Sequence, residues 1–304
     1  MRRARPAADS AASVRARLLN LSRSRHVEFQ LVLSDFAIER LLYRLSVSEY
    51  SDRFVLKGAM LFKLWSEALN RATWDLDLHG RGSNSVADVE AVVRALCGIE
   101  GRDGIVFDPS SVSGEEIRAG DEYQGVRARF EARLAEARIP VQVDVGFGDA
   151  ITPAPTRESY PTLLDHPQPH VLVYPREAVV AEKLEAMVSL GVTNSRMKDF
   201  YDVHMLASRF AFEGPTLSEA VRATFMRRGT PFPEEEPLAL AREFMAAPER
   251  QTQWRAFLRR GRLVAPPDAG ELADGLRRFL GPVLAAAAKR ESPPASWSPG
   301  GPWR

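Results

Sequence analysis

The sequence predicts an α+β fold, a mixed sheet with flanking helices followed by a helical C-terminal region, on three observations. Val126, Ala128, Phe130, Ala132 and Leu134, and then Val141, Val143, Val145 and Phe147, alternate with polar residues, the period-2 signature of strands with one solvated face. Phe29, Leu33, Phe36, Ala37, Leu41 and Leu45 recur at helical spacing instead. Five prolines between Pro153 and Pro169 then break the composition, and beyond them helical patterns alternate with glycine and proline punctuation.

Taken in order, residues 1–26 form a basic N-terminal segment, with Arg2, Arg3, Arg5, Arg15, Arg17, Arg23 and Arg25 against Asp9 alone. The stripe from Phe29 to Leu45 predicts one amphipathic helix over 27–46. A short apolar run, Phe54-Val55-Leu56, reads as a strand, Lys57-Gly58 as its turn, and Ala59 to Leu69 as a second helix. Trp74 to Leu78 is the next strand. Ser85 with Asp88 three residues on resembles a capping box for a helix facing the core through Val86, Val89, Val93 and Leu96. The two alternating stretches pair as an antiparallel hairpin around Ala137-Arg138. With the boundary in the proline-rich stretch, the first domain spans 27–168 and a helical domain 169–290, where Pro175 stands at a helix start. Residues 291–304, rich in proline, serine and glycine, are expected to be disordered.

Composition narrows the function. The 304 residues are 45% hydrophobic and 27% charged, ordinary for a globular chain, and the 41 lysines and arginines against 40 acids leave a net charge of +1. Bulk positive charge therefore does not drive binding to nucleic acid, although a local patch can. A single cysteine, Cys97, permits neither an intrachain disulfide nor a cysteine-rich zinc site and fits a cytoplasmic setting. The longest late apolar run, Val283 to Ala288, is too short to span a membrane, and the histidines lack metal-ligand spacing.

The sharpest chemical feature is Trp74-Asp75-Leu76-Asp77-Leu78. On a strand Asp75 and Asp77 share one face, about 7 Å apart, while Trp74, Leu76 and Leu78 take the other. Like charges so placed need compensation, and hard carboxylate oxygens favour Mg²⁺ or Mn²⁺. The alternative is a solvated strand face. In Val141-Gln142-Val143-Asp144-Val145 the valines are buried and Asp144 lies opposite, so if the two strands are neighbours three carboxylates converge. Such a trio suits metal-assisted phosphoryl or nucleotidyl transfer. Lys57-Gly58 offers a phosphate turn, or merely a turn. Lys183 reads either as a ligand for phosphate or as a surface lysine paired with Glu182 or Glu185. Arg196, Asp199 and Asp202 share a helix face that would ordinarily be solvated.

Five segments together carry a resemblance: Phe54 to Leu61, Arg71-Ala72-Thr73 through Leu78, Val143 to Asp149, Ala181-Glu182-Lys183, and Arg196 to Asp202. In order and spacing the chain resembles the nucleotidyl transferase AbiEii/AbiGii toxin family, including the MenT-like toxins of bacterial toxin–antitoxin pairs. The resemblance implies a polymerase-β-like nucleotidyltransferase sheet, a helical domain that completes the active site, and Mg²⁺-dependent transfer of a nucleotide from an NTP to the 3′ end of tRNA, blocking translation. It also implies a cognate antitoxin. By position, Asp75, Asp77 and Asp144 would bind metal. Thr73, Asp75, Asp144, Lys183 and Asp202 would be catalytic, and Lys57, Gly58, Thr73, Lys183 and Asp199 would bind nucleotide, with Asp199 or Asp202 as the late acid. For the RNA acceptor, candidates are the N-terminal arginines and Arg255, Arg259 and Arg260, which lie with Arg250 and Arg262 in a stretch free of acids, where Trp254 and Phe257 could stack on bases; the alternative is ordinary helix-surface arginines and core aromatics. Nucleotidylation of a protein hydroxyl, or an inert binding module whose acids are neutralised by Arg196 or Lys198, are the alternatives.

Overall fold

In the computed structural model residues 10–65, 73–118 and 124–304 are described. Arg2, Arg3, Arg5 and Asp9, the end of the helix predicted to reach Leu69, and Arg71 and Ala72 lie outside the described residues. The chain divides into two compact units, one of residues 1–148 and 156–173, the other of 149–155 and 174–304.

The first unit opens with α1 (Ala11–Arg25), a helix where only a basic segment was expected. Ser10 accepts a hydrogen bond from the Ser13 amide at 3.2 Å, His26 closes the helix with φ of 54°, and Val14, Leu18 and Ser22 form its buried stripe. Arg23 and Arg25 are exposed, while the Arg15 guanidinium lies over the Phe29 ring.

Helix α2 (Phe29–Ser46) buries the predicted stripe from Leu33 to Leu45, with Phe29 half-buried, and it also buries Glu39, Arg40 and Arg44. Those charges are tied down. Arg44 donates to both oxygens of Asp103, at 2.8 and 3.1 Å, and to the Ile105 carbonyl. Glu39 accepts from the Leu163 amide at 2.6 Å, and Arg40 donates to the Pro167 carbonyl. Buried charge is tolerated here because it pins irregular chain to the helix.

The sheet comprises β1 (Phe54–Lys57), β2 (Asp75–Gly80), β3 (Ile105–Arg118), β4 (Gln124–Leu134), β5 (Ala137–Phe147), β6 (Thr156–Ser159) and β7 (His170–Val173), in the order β3-β4-β5-β2-β1-β7-β6. Strand β2 runs antiparallel to β1 and parallel to β5, which makes the sheet mixed. Between β1 and β2 lies α3 (Met60–Trp65), and α4 (Val86–Cys97) follows β2 with the expected cap, Ser85 Oγ accepting from the Asp88 amide.

Leu41 and Leu45 of α2 and Val89, Val92, Val93 and Leu96 of α4 meet Leu76, Leu78, Val143 and Val145 around one small apolar cavity. Helices thus cover the face carrying the apolar alternates, and the polar alternates take the other. The β4–β5 turn is Ala135-Glu136, with Ala135 at φ of 51° and Leu134 opposite Ala137, so the strand already includes the Ala137-Arg138 pair expected in the turn. Strand β3 was not expected, since Pro109-Ser110-Ser111 interrupts its alternation at an irregularity between Asp108 and Ser113.

The second unit contains α5 (Arg176–Leu190), α6 (Met197–Arg209), α7 (Gly214–Arg227), α8 (Arg242–Met245), α9 (Pro248–Gly261) and α10 (Ala269–Lys289). Pro175 caps α5 as the sequence suggested. The unit is not wholly helical: β8 (Phe212–Glu213) pairs with β9 (Ser296–Trp297). That pairing overturns the disordered tail. Trp297 is buried and donates to the Ala207 carbonyl at 2.7 Å, while Trp303 stacks on Phe279 and donates to its carbonyl at 2.9 Å. Two aromatic anchors outweigh a composition that otherwise favours disorder. No helix among the described residues is long and apolar enough to cross a membrane.

Candidate nucleotidyl transfer site

The hydrogen-bond register of the sheet builds the site. Asp77 stands opposite Lys57 on β1 and beside Asp144 on β5, Asp144 stands opposite Arg127 on β4, and Arg127 opposite Glu115 on β3. One row across five strands therefore carries two adjacent carboxylates flanked by a cation on each side. Asp75, two residues before Asp77, completes the trio. One oxygen from each of Asp75, Asp77 and Asp144 lies within 4.8 Å of the others, and all three side chains are half-buried.

Two neighbours set the trio's shape. Thr73 Oγ1 donates to Asp75 Oδ1 at 2.5 Å, so the hydroxyl orients the carboxylate. Gly58, with φ of +73°, packs against Asp77 so closely that an added Cβ would lie 2.0 Å from Asp77 Oδ2. The glycine thus serves both the left-handed turn and the close approach of Asp77. Trp74 departs from the expected apolar face: it precedes β2 and is 50% exposed, whereas Leu76 and Leu78 are buried.

Arg127 is the site residue that sequence reasoning missed. Its Nε and Nη2 donate to Asp144 Oδ1 and Oδ2 at 2.8 and 2.6 Å. The hydrogen bond to Asp144 holds the guanidinium above its ordinary value against the opposing effect of burial, and Glu115 and Asp75 add to its field. Arg196, the cation the sequence offered as one alternative, pairs with Asp199 within the other unit.

The donor set fits a hard divalent cation: three carboxylates converge, and a glycine leaves room where a side chain would displace one of them. Among the described residues no cysteine or histidine joins the cluster, which disfavours zinc. Cys97 is buried, its thiol pushed up to about 12, and is not a nucleophile.

A second charged cluster lies within the helical unit. Lys183 Nζ is 2.7 Å from Asp199 Oδ1 and 2.8 Å from Asp202 Oδ2, and Arg196 Nε is 2.6 Å from Asp199 Oδ2. Asp199 and Asp202 are buried, so the face expected to be solvated is not. Burial works against the Lys183 charge, but Asp202 and Asp199 outweigh it and hold the ammonium above its usual value. Burial likewise pushes Asp199 up, while Lys183 and Arg196 bring it below the ordinary carboxylate range. Glu182 and Glu185 pair with Arg228 and not with Lys183. Both aspartates hold the lysine, so distance does not single out one late acid.

Arg255, Arg259 and Arg260 are exposed on α9, and no carboxylate lies within 4.0 Å of them among the described residues. Arg250 is engaged instead, donating to the Asn194 and Val192 carbonyls. Trp254 is fully buried, its indole bound to the Pro266 carbonyl at 2.8 Å, and Phe257 packs on Tyr201 and Trp254. The tryptophan is core and has no free face for a base.

A mixed sheet with a carboxylate trio on neighbouring strands is an arrangement that suits metal-assisted nucleotidyl transfer. The family model for the nucleotidyl transferase AbiEii toxin of type IV toxin–antitoxin systems matches residues 40–280, and the chain belongs to that family. Similar solved structures include one named for a nucleotidyltransferase of H. pylori, 15% identical over 87% of this chain and 97% of that one, TM-score 0.44. Another is JHP933 of Helicobacter pylori, 15% identical over 86% and 93%, TM-score 0.43. A search of curated proteins finds no match.

Proposed function

We propose that the protein transfers a nucleotide from an NTP to the 3′ end of tRNA in the cytoplasm, as MenT-like toxins do, blocking translation until an antitoxin opposes it. The observation that carries the reading is the convergence of Asp75, Asp77 and Asp144 within 4.8 Å on parallel neighbouring strands. These residues would hold Mg²⁺ or Mn²⁺, which when bound supplies stabilisation of charge developing on phosphoryl oxygens.

The reading gives the chain's own residues the following parts. Thr73 fixes Asp75 in one orientation, and Gly58 lets Asp77 sit against the β1 turn. The Lys57-Gly58 turn and Thr73 take part in nucleotide binding. Lys183 uses two of its three N–H donors on Asp199 and Asp202 and keeps one for a phosphate oxygen. Arg255, Arg259 and Arg260 offer the RNA backbone unpaired cations, each contributing to a salt-dependent affinity.

In the transfer the acceptor hydroxyl attacks the α-phosphorus and pyrophosphate leaves, with positioning and electrostatics supplying most of the rate. The test offers each labelled NTP with Mg²⁺ to total tRNA and, in parallel, to lysate protein. Label on RNA that disappears in Asp75→Ala supports the reading; label on protein alone moves the assignment to nucleotidylation of a protein hydroxyl. Unchanged RNA labelling in Asp75→Ala rules out the metal trio.

A further inference from the structure

Both oxygens of Asp144 accept from the two-pronged guanidinium of Arg127. A carboxylate held this way has its best lone pairs committed to nitrogen donors, and the same lone pairs are what a cation at the trio needs. Arg127 is also the wrong charge for a metal site: it brings a permanent positive charge to a carboxylate whose neighbours Asp75 and Asp77 share that cluster. Yet it is not a remote structural pair. Arg127 is 28% exposed and Asp144 14%, and the arginine stands on the polar face of the sheet, in the same cross-strand row as Asp77.

We propose that the Arg127–Asp144 pair is a lock that exchanges partners: Arg127 releases Asp144 to the divalent cation and binds a phosphate of the incoming nucleotide. The exchange rests on the nucleotidyl transfer reading above. Its chemistry is balanced, since Asp144 trades a guanidinium for a metal ion and Arg127 trades a carboxylate for a phosphate, the other anion its planar fork matches. The guanidinium also offsets the repulsion among three clustered carboxylates. Arg127 is in this sense a positioning residue for Asp144 before nucleotide arrives and a phosphate ligand afterwards.

The lock makes two binding constants move in opposite directions, which a merely structural ion pair would not do. Mn²⁺ alone, titrated into the full chain and followed by the loss of its free EPR signal, should bind Arg127→Met about tenfold or more tightly than wild type, because one nearby positive charge and one competitor are gone. The four Mn²⁺–ribonucleoside triphosphates, measured by calorimetry at saturating Mn²⁺, should yield for the best-bound nucleotide an affinity about tenfold or more weaker in Arg127→Met. Arg127→Lys, which keeps the charge without the fork and so guards against a folding defect, should shift both constants in the same senses by smaller amounts.

Mn²⁺ affinity unchanged or lowered in both variants overturns the lock. Nucleotide affinity unchanged in both overturns the phosphate half of the exchange and with it the proposal. Failure of the underlying reading looks different: wild type would bind neither Mn²⁺ nor any triphosphate, and Asp75→Asn would change nothing.

Discussion

Replacing Gly58 with alanine tests the geometry that sets Asp77. Two costs can be separated. At φ of +73° an L-residue is in the left-handed region, which costs roughly 1–2 kcal/mol. In addition the new Cβ would fall 2.0 Å from Asp77 Oδ2 and 2.7 Å from Asp77 Cβ and Cγ, so the aspartate must move, an overpacking cost of about 1–3 kcal/mol. Gly82 supplies the control, since its φ is +88° and nothing lies within 4 Å of its added Cβ. Gly82→Ala should therefore lose only the backbone part.

Urea unfolding with an unchanged m-value would read both variants, and Gly58→Ala is expected to be less stable than Gly82→Ala by about 1–3 kcal/mol. Its Mn²⁺ affinity should also fall, because Asp77 no longer occupies its place in the trio, while Gly82→Ala binds Mn²⁺ as wild type does. Equal stability and equal Mn²⁺ binding in the two variants would refute the close approach on which the argument depends.

Two further outcomes concern the frame. Burial raises Glu39 from 4.5 to about 7 against the pull of Lys63 and Arg40, so the folded state holds a proton that the unfolded state has released between those values. Stability is then highest below about pH 4.5 for this group and declines by up to roughly 3 kcal/mol as pH rises to about 7. Glu39→Gln should flatten that slope in melts between pH 5 and 8, and an identical slope would show that Glu39 does not titrate there. Trp297→Ala, which empties the aromatic cluster with Phe212, Phe279 and Trp303, should cost about 3–5 kcal/mol; a loss under about 1 kcal/mol would mean the tail contributes no core.

Residues whose face follows from periodicity were legible in the sequence. Asp75, Asp77 and Asp144 lie on the polar face because their neighbours alternate, and that alternation survives any modest error in strand ends. The residues that were missed depend on register. Arg127 meets Asp144 only because the hairpin turns at Ala135-Glu136, and placing the turn two residues later moves a different side chain opposite Asp144.

Burial of charge was not legible. Nothing in the sequence marks Glu39, Arg40 and Arg44 as buried, because their partners, Asp103 and the 160–169 segment, are far away in the chain. For Asp199 and Asp202 the sequence left a solvated face and a place in the site both open, because their partner Lys183 lies on another helix. The tail failed in the opposite sense: Pro and Gly content suggested disorder, but Trp297 and Trp303, the signal for anchoring, were present all along. Trp254, weighed in the sequence as either a stacking platform or a core aromatic, is core, and only the packing decides between the two.

The central claim is that Asp75, Asp77 and Asp144 together perform nucleotidyl transfer to RNA. It is tested most directly by incubating the protein with each α-labelled NTP, Mg²⁺ and total tRNA, then locating the label by 3′-end sequencing. Wild type should add nucleotide at tRNA 3′ ends, chelation of Mg²⁺ should stop it, and Asp75→Ala should leave no addition. Addition that persists in Asp75→Ala, or tRNA ends left unmodified by wild type with every NTP, would contradict the account.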